Sequence, residues 1–210
     1  VSREHSEISC WQTKRFYFNG FAWHCKCFNT AVHRHFLFAL VVTAGIAPLP
    51  GATLQRLSLS DMIAKSTAIV RGTVTGSKAY ASGPIIYTHY AIQVTERYKG
   101  GAQDGQDVAV PGGSANHLRQ SFPGAPELTA GQEYVLFLWT GPSGLTQIIG
   151  LTQGLFTLST TASGTTATRP PAAEMILDAG SGQQVKDQTL SMTLGELRTR
   201  ITSALRGGGN

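Results

Sequence analysis

The side chains best suited to chemistry gather in one stretch, DVAVPGGSANH, residues 107–117. Asp107, Ser114 and His117 are the residue types of a nucleophilic triad, and the backbone of Gly112-Gly113 could offer donors to an oxyanion. No G-x-S-x-G elbow accompanies them. A Gly-Ser-Ala-Asn run is also ordinary turn chemistry. The stretch therefore reads as a solvated loop, and no catalytic residue is assigned. A small secreted hydrolase using the 107–117 loop is the alternative reading.

Metal ligation needs several acidic, imidazole or thiolate groups converging. Asp104 and Asp107 flank a glycine after a strand, with no third ligand in view. Cys10, Cys25, Cys27 and His24 do not match a paired zinc-ligand spacing. GSGQQVK (180–186) lacks the strand and helix of a phosphate loop. No metal and no cofactor are expected.

Binding chemistry fits the same region better. Residues 112–131 are polar and rich in turn formers, and loops of this kind carry recognition. Ser114, Asn116, His117, Arg119 and Phe122 are the candidate binding residues. Tyr87, Tyr98, Phe122 and Trp139 could stack on a sugar or base. Packing is the commoner fate of such aromatics, and Trp139 closes a strand that reads as buried.

Composition narrows the partner. The chain is 41% hydrophobic and 14% charged, which predicts a folded core. Its net charge of +5 divides into +3 over residues 1–52 and +2 over the remainder, with the basic residues scattered. A nucleic-acid binder concentrates its charge in a patch or stripe, so nucleic acid is not expected. An extracellular or periplasmic protein, or a saccharide, is.

The N-terminal segment explains that compartment. In HRHFLFALVVTAGIAPLPGA (33–52) a basic end precedes an apolar run from Phe36 to Ile46, followed by helix breakers and small residues. The run is too short to span a bilayer, which takes about 20 apolar residues. Its order is that of a bacterial secretory signal. Residues 32–52 are thus expected to be a signal peptide, cut after Ala52 or Ala44. The product would be periplasmic or secreted, with no stable membrane span. Val32 is the expected start, which makes residues 1–31 a non-native or disordered extension. All three cysteines lie in that extension, so the mature chain needs no disulfide.

The elements that must position the loop follow from periodicity. Ser58 and Asp61 form a capping box for a short helix over 59–65. From Ala68 the period becomes two: Ala68, Val70, Gly72 and Val74 share a face, and Gly72 and Gly76 suit a bent or bulged strand. After a turn at 82–84, Ile86, Tyr90, Ile92, Val94 and Tyr98 line one face of a long strand. His89, Gln93 and Lys99 lie on its wet face. QDVAVP gives a third strand, and EYVLFLW (133–139) is apolar on both faces and so central. A broken strand follows, with breaks at Gly150 and Gly154, then a hairpin through TASGTTATR and a short strand at AEMILD. Leu194, Leu197, Ile201, Ala204 and Leu205 make the stripe of a C-terminal helix capped by Thr193 and Glu196.

STAIVRGTV (66–74), YAIQVTERYKG (90–100) and LTAGQEYVLFL (128–138), in this order, resemble the netrin-like modules and the tissue inhibitors of metalloproteinases. They are also similar to uncharacterised exported bacterial proteins with the same skeleton. The resemblance implies a mainly β fold: an OB-like five-stranded barrel over residues 53–160, with a short N-terminal helix. Residues 161–210 would add a β-hairpin tail and a C-terminal amphipathic helix. The matching positions are strand and turn positions, which specify shape and not activity. The cysteines that hold netrin-like inhibitors together, and the N-terminal cysteine that approaches a target's zinc, have no counterpart after residue 52. The implied function is that of an exported, non-catalytic module binding a protein or saccharide.

Expressed from residue 32, the protein is expected to leave the cytoplasm and lose roughly its first 20 residues, the usual length of a signal. N-terminal sequencing of the exported product checks this. An uncut chain in the inner membrane would make the segment an anchor.

Overall fold

The computed structural model describes residues 53–207. The extension expected over 1–31, the signal peptide expected over 32–52 and the three cysteines lie outside the described residues.

Ser58 opens the first helix as expected. Its side chain accepts from the Asp61 N–H at 3.0 Å, while the Asp61 carboxylate accepts from the Ser58 N–H at 3.0 Å. Such a cap contributes about 1 kcal/mol, enough to fix a helix of only two turns, α1 (Leu59–Lys65). The strand β1 (Thr53–Gln55) precedes it. Two long strands follow, β2 (Ala68–Ser82) and β3 (Ile85–Lys99), then β4 (Gly105–Pro111). A small hairpin, β5 (Gly113–Ala115) and β6 (Leu118–Gln120), leads to β7 (Glu133–Thr140) and β8 (Thr146–Ile148). A 3-10 turn over Leu151–Gly154 introduces β9 (Leu155–Thr161), which pairs with β10 (Gly164–Arg169). The chain ends with β11 (Met175–Leu177), β12 (Gln184–Val185), β13 (Leu190–Thr193) and α2 (Leu194–Gly207).

One antiparallel sheet dominates, in the order β13-β10-β9-β7-β2-β3-β4, with β8 on the far half of β7. The central strand β7 alternates between two cores. Val135 and Phe137 join Met62, Phe156, Leu197 and Ile201 in a core roofed by α1 and α2. Tyr134, Leu136 and Leu138 join Val70, Ile92 and Val108 in a second core on the opposite face. Fully burying one such side chain contributes roughly 1.5–3 kcal/mol, so β7 is apolar along both faces for a reason.

The protein is mainly β with a C-terminal helix, but the sheet forms no closed barrel. β4 lies against β8, yet no ladder joins them. β8 has only three residues before the chain turns away at Gly150, and Pro111 and Pro126 border the seam. Proline has no N–H to give a ladder. Residues 161–207 continue the same sheet through β10 and β13.

The β2–β3 ladder carries three register shifts, so the bending expected at the glycines extends along the strand. Val70 pairs with Arg97 and Ile69 with Lys99, leaving Tyr98 as the extra residue of a bulge. A bulge re-aims a side chain. Tyr98 accordingly packs with the helix-side core, and not with Tyr90 and Ile92 as strict alternation predicts. Its hydroxyl donates to Glu96 at 3.0 Å, and burial, with Glu96 beside it, pushes the phenol up to about 12.

The residues of LTAGQEYVLFL are structural. Leu128 is buried, the Thr129 N–H donates to the Tyr134 hydroxyl at 3.0 Å, and the Gly131 N–H donates to the Val74 carbonyl at 2.8 Å. Glu133 accepts two hydrogen bonds from Arg71, at 2.8 and 2.9 Å, tying β7 to β2. That hydrogen-bonded pairing raises the Arg71 pKa further.

Lys99 corrects another expectation. Its ammonium does not point to solvent but donates to the carbonyls of Ile63 and Ala64, at 2.8 and 3.1 Å. These lie in the last turn of α1, where unpaired carbonyls attract a cation. Gly100 has φ 99°, and a Cβ there would lie 3.1 Å from that of Ala68, so the corner requires glycine. Lys99→Ala is expected to cost about 1–2 kcal/mol by urea denaturation, for two charge-assisted hydrogen bonds. Unchanged stability would return the side chain to solvent.

Candidate functional site

At the end of β4 the chain reverses through Gly112 and Gly113. The Gly113 backbone lies so close to Thr88 and Ala79 that a side chain would clash. This lays β5 against the β2–β3 arm. Three contacts fasten it: the Thr88 hydroxyl donates to the Gly112 carbonyl at 2.7 Å, the Gly112 N–H donates to the Ile86 carbonyl at 2.7 Å, and Gln120 bridges the strands. The Gln120 amide accepts from the Ile86 N–H at 2.7 Å and donates to the Pro84 carbonyl at 2.8 Å.

The polar loop expected over 112–131 thus contains a two-stranded hairpin. Ser114 pairs with Arg119 and Ala115 with Leu118 across a two-residue turn, Asn116-His117. Both turn residues have positive φ, 51° and 62°. Such turns favour Asn-Gly because glycine reaches this conformation without cost. Histidine in the second position hides the hairpin from a reader of the sequence.

Beneath the hairpin lies a cleft of about 330 Å³. Ser114, Arg119 and Phe122, three of the five expected binding residues, line it. Asn116 and His117 stand at the hairpin tip, outside the lining. Tyr90, Glu127 and Thr129 also line the cleft and were not expected in it. The fold of the 121–129 segment brings Glu127 and Thr129 over Tyr90 of β3. Burial raises the pKa of the Tyr90 phenol, partly offset by a hydrogen bond from the Leu128 backbone. Thr88 and Gln120 are committed to the scaffold. Among the described residues, the side chains of Ser114, Arg119, Ser121 and Glu127 have no hydrogen-bond partner, so they are free to meet a ligand. Leu118, next to the tip, is 65% exposed.

The residues of the alternative triad do not converge. Asp107 Oδ2 accepts from His89 Nδ1 at 2.7 Å across β3 and β4, while His117 sits on the hairpin turn. His89 is thus not a free solvent-facing side chain. Its ring also meets Tyr80 edge-on, centroids 5.5 Å apart, and the Lys78 ammonium lies 5.1 Å from the Tyr80 ring. Trp139 is 43% exposed and folds over Gly141, so it does not close the core as expected. Among the described residues no three His, Cys, Asp or Glu side chains gather in a way that could hold a metal ion.

No protein-family model matches the chain, and no curated protein is significantly similar to it.

Gln120→Ala is expected to lower stability by about 1–2 kcal/mol, because it leaves the Ile86 N–H and the Pro84 carbonyl without partners. Hydrogen exchange at Ile86 should quicken. Unaltered exchange there would mean that the hairpin is held by other contacts.

Proposed function

We propose that the protein is an exported, non-catalytic binding module that engages its ligand through the β5–β6 hairpin and the cleft beneath it. One observation carries the reading. His117 occupies φ 62°, where glycine would be unstrained, at the tip of a hairpin stapled over a polar cleft. A bulky residue kept in such a conformation costs on the order of 1 kcal/mol and marks functional surfaces.

The cleft's chemistry favours a saccharide. Phe122 offers a ring face, Ser114, Ser121 and Thr129 offer hydroxyls, and Arg119 and Glu127 offer one charge of each sign. A volume of about 330 Å³ suits one or two sugar rings at the lower end of ligand sites. Leu118 supports a second reading, a protein partner with an apolar pocket for the exposed side chain.

The shape we infer is OB-like. β2, β3, β4, β8 and β7 surround the second core, with β4 and β8 adjacent but unladdered. We read this as a netrin-like arrangement opened along one seam. The metalloproteinase-inhibitor mechanism is not carried over, since residues 53–207 contain no cysteine.

His117→Gly tests the site. Melting should rise, by an amount equivalent to about 1 kcal/mol of relieved backbone strain, while binding to a panel of neutral and acidic oligosaccharides falls. Arg119→Ala should lose binding without the gain in melting. Undiminished binding by both variants would place the site elsewhere. Turnover of an ester or glycoside substrate abolished by His117→Ala would favour the hydrolase.

A further inference from the structure

The arm formed by β2 and β3 outruns the sheet on one side. β2 pairs with β7 only as far as Thr73↔Glu133, and the last bonds on that side join Val74 to Gly131 and Gln132. Its pairing with β3 continues to Ser82↔Ile85. From Gly76 to Ser82, therefore, β2 is an edge strand.

The register says which backbone groups that edge presents. The Ile86 N–H and carbonyl are bonded on the far side of β3, to Gln120 and Gly112, so Tyr87, His89 and Ala91 turn theirs toward β2. Their partners are Tyr80, Lys78 and Gly76, whose backbone groups are thereby used. Ser77, Ala79 and Ala81 direct their N–H and carbonyl groups outward. Among the described residues no backbone hydrogen bond reaches them.

Such an edge is a template for another strand, and proteins usually blunt it with charge or proline. This one carries a single charge, Lys78, and its proline, Pro84, lies in the turn beyond. Tyr80 is 48% exposed beside it. The side chains suit a copy of themselves. With an antiparallel partner centred on Ala79, Ala79 faces Ala79, Ser77 faces Ala81 and Lys78 faces Tyr80. Outward groups then meet outward groups, and each such pair exchanges both backbone bonds. The Lys78 ammonium, already 5.1 Å from the ring of its own Tyr80, has the second copy's ring directly opposite as well. Only small side chains meet on the other face. Centring on Ser77 or on Ala81 would set Lys78 against Gly76, or Tyr80 against Ser82, and lose this match.

We propose that the β2 edge pairs with the same edge of a second copy of this chain, in antiparallel register centred on Ala79, to form a two-fold symmetric dimer. One strand's length, Gly76 to Ser82, is a smaller contact than a permanent interface, so the dimer is weak and concentration-dependent. It does not depend on what the hairpin cleft binds.

Sedimentation velocity of the full chain from about 10 µM to about 1 mM covers the range in which weak pairs dissociate. A reversible passage from monomer to dimer is expected, with amide exchange at Ser77, Ala79 and Ala81 slowing as concentration rises. Ser77→Lys with Ala81→Glu sets opposite charges across both flanking pairs and should tighten the dimer about tenfold. Ser77→Lys with Ala81→Lys sets like charges there and should weaken it by a similar factor. Both positions are exposed, so melting of the dilute protein should not change. Tyr80→Ala should weaken the dimer about fivefold, for the lost ring. Three results would overturn the proposal: a monomer throughout the range, a dimer indifferent to all three variants, or slow exchange at Ser77, Ala79 and Ala81 that persists on dilution. The last would mean that another segment of the same chain covers the edge.

Discussion

The structure depends on a single ladder whose faces are both dry. β2 and β7 run antiparallel from Ala68↔Leu138 to Thr73↔Glu133, and consecutive residues of β7 feed opposite cores. A one-residue slip would not move this strand from core to solvent; it would exchange its contributions to two differently shaped cores. Register must therefore be pinned by something other than hydrophobicity. The Arg71–Glu133 fork and the Gly131–Val74 backbone bond do this at one end, and the Thr67 N–H, donating to the Leu138 carbonyl at 2.8 Å, does it at the other.

The elements were largely legible because each was locally overdetermined. The Ser58–Asp61 and Thr193–Glu196 caps, the period of two in β2 and β3, and the doubly apolar β7 each point to one conformation. What failed to show depended on pairing. Tyr98 reads as inward until a bulge removes it from the alternation. His89 reads as wet until the register of β3 and β4 sets Asp107 beside it. Lys99 is an exposed lysine in any reading that does not know where α1 ends. Barrel closure was illegible because it turns on whether a three-residue strand and a proline-bordered edge can form a ladder.

The candidate site was legible in its composition and not in its geometry. A polar, turn-rich segment announced a surface, and Ser114, Arg119 and Phe122 do line the cleft. The hairpin that divides them from Asn116 and His117 was hidden by the absence of glycine in its turn. Outside the site, the buried Arg169 gave no signal at all. It follows a run of threonines in a strand whose outer face looks solvated, and its burial comes from the 170–190 segment folding over it to bring Asp187 into reach.

The helix-side core draws on both ends of the folded region. Met62 and Ile63 of α1 meet Leu197 and Ile201 of α2, and the two helices pack on each other. During synthesis, then, α1 can meet β7 and β9 first, and α2 only after every strand of the sheet has emerged. Contacts so distant in sequence carry a high loop-closure cost and form late. Until α2 emerges, the helix-side face of β7 is only partly covered and is exposed to chaperones or to its own kind. The topology itself thus postpones the folded state until nearly all of the described residues are available to it.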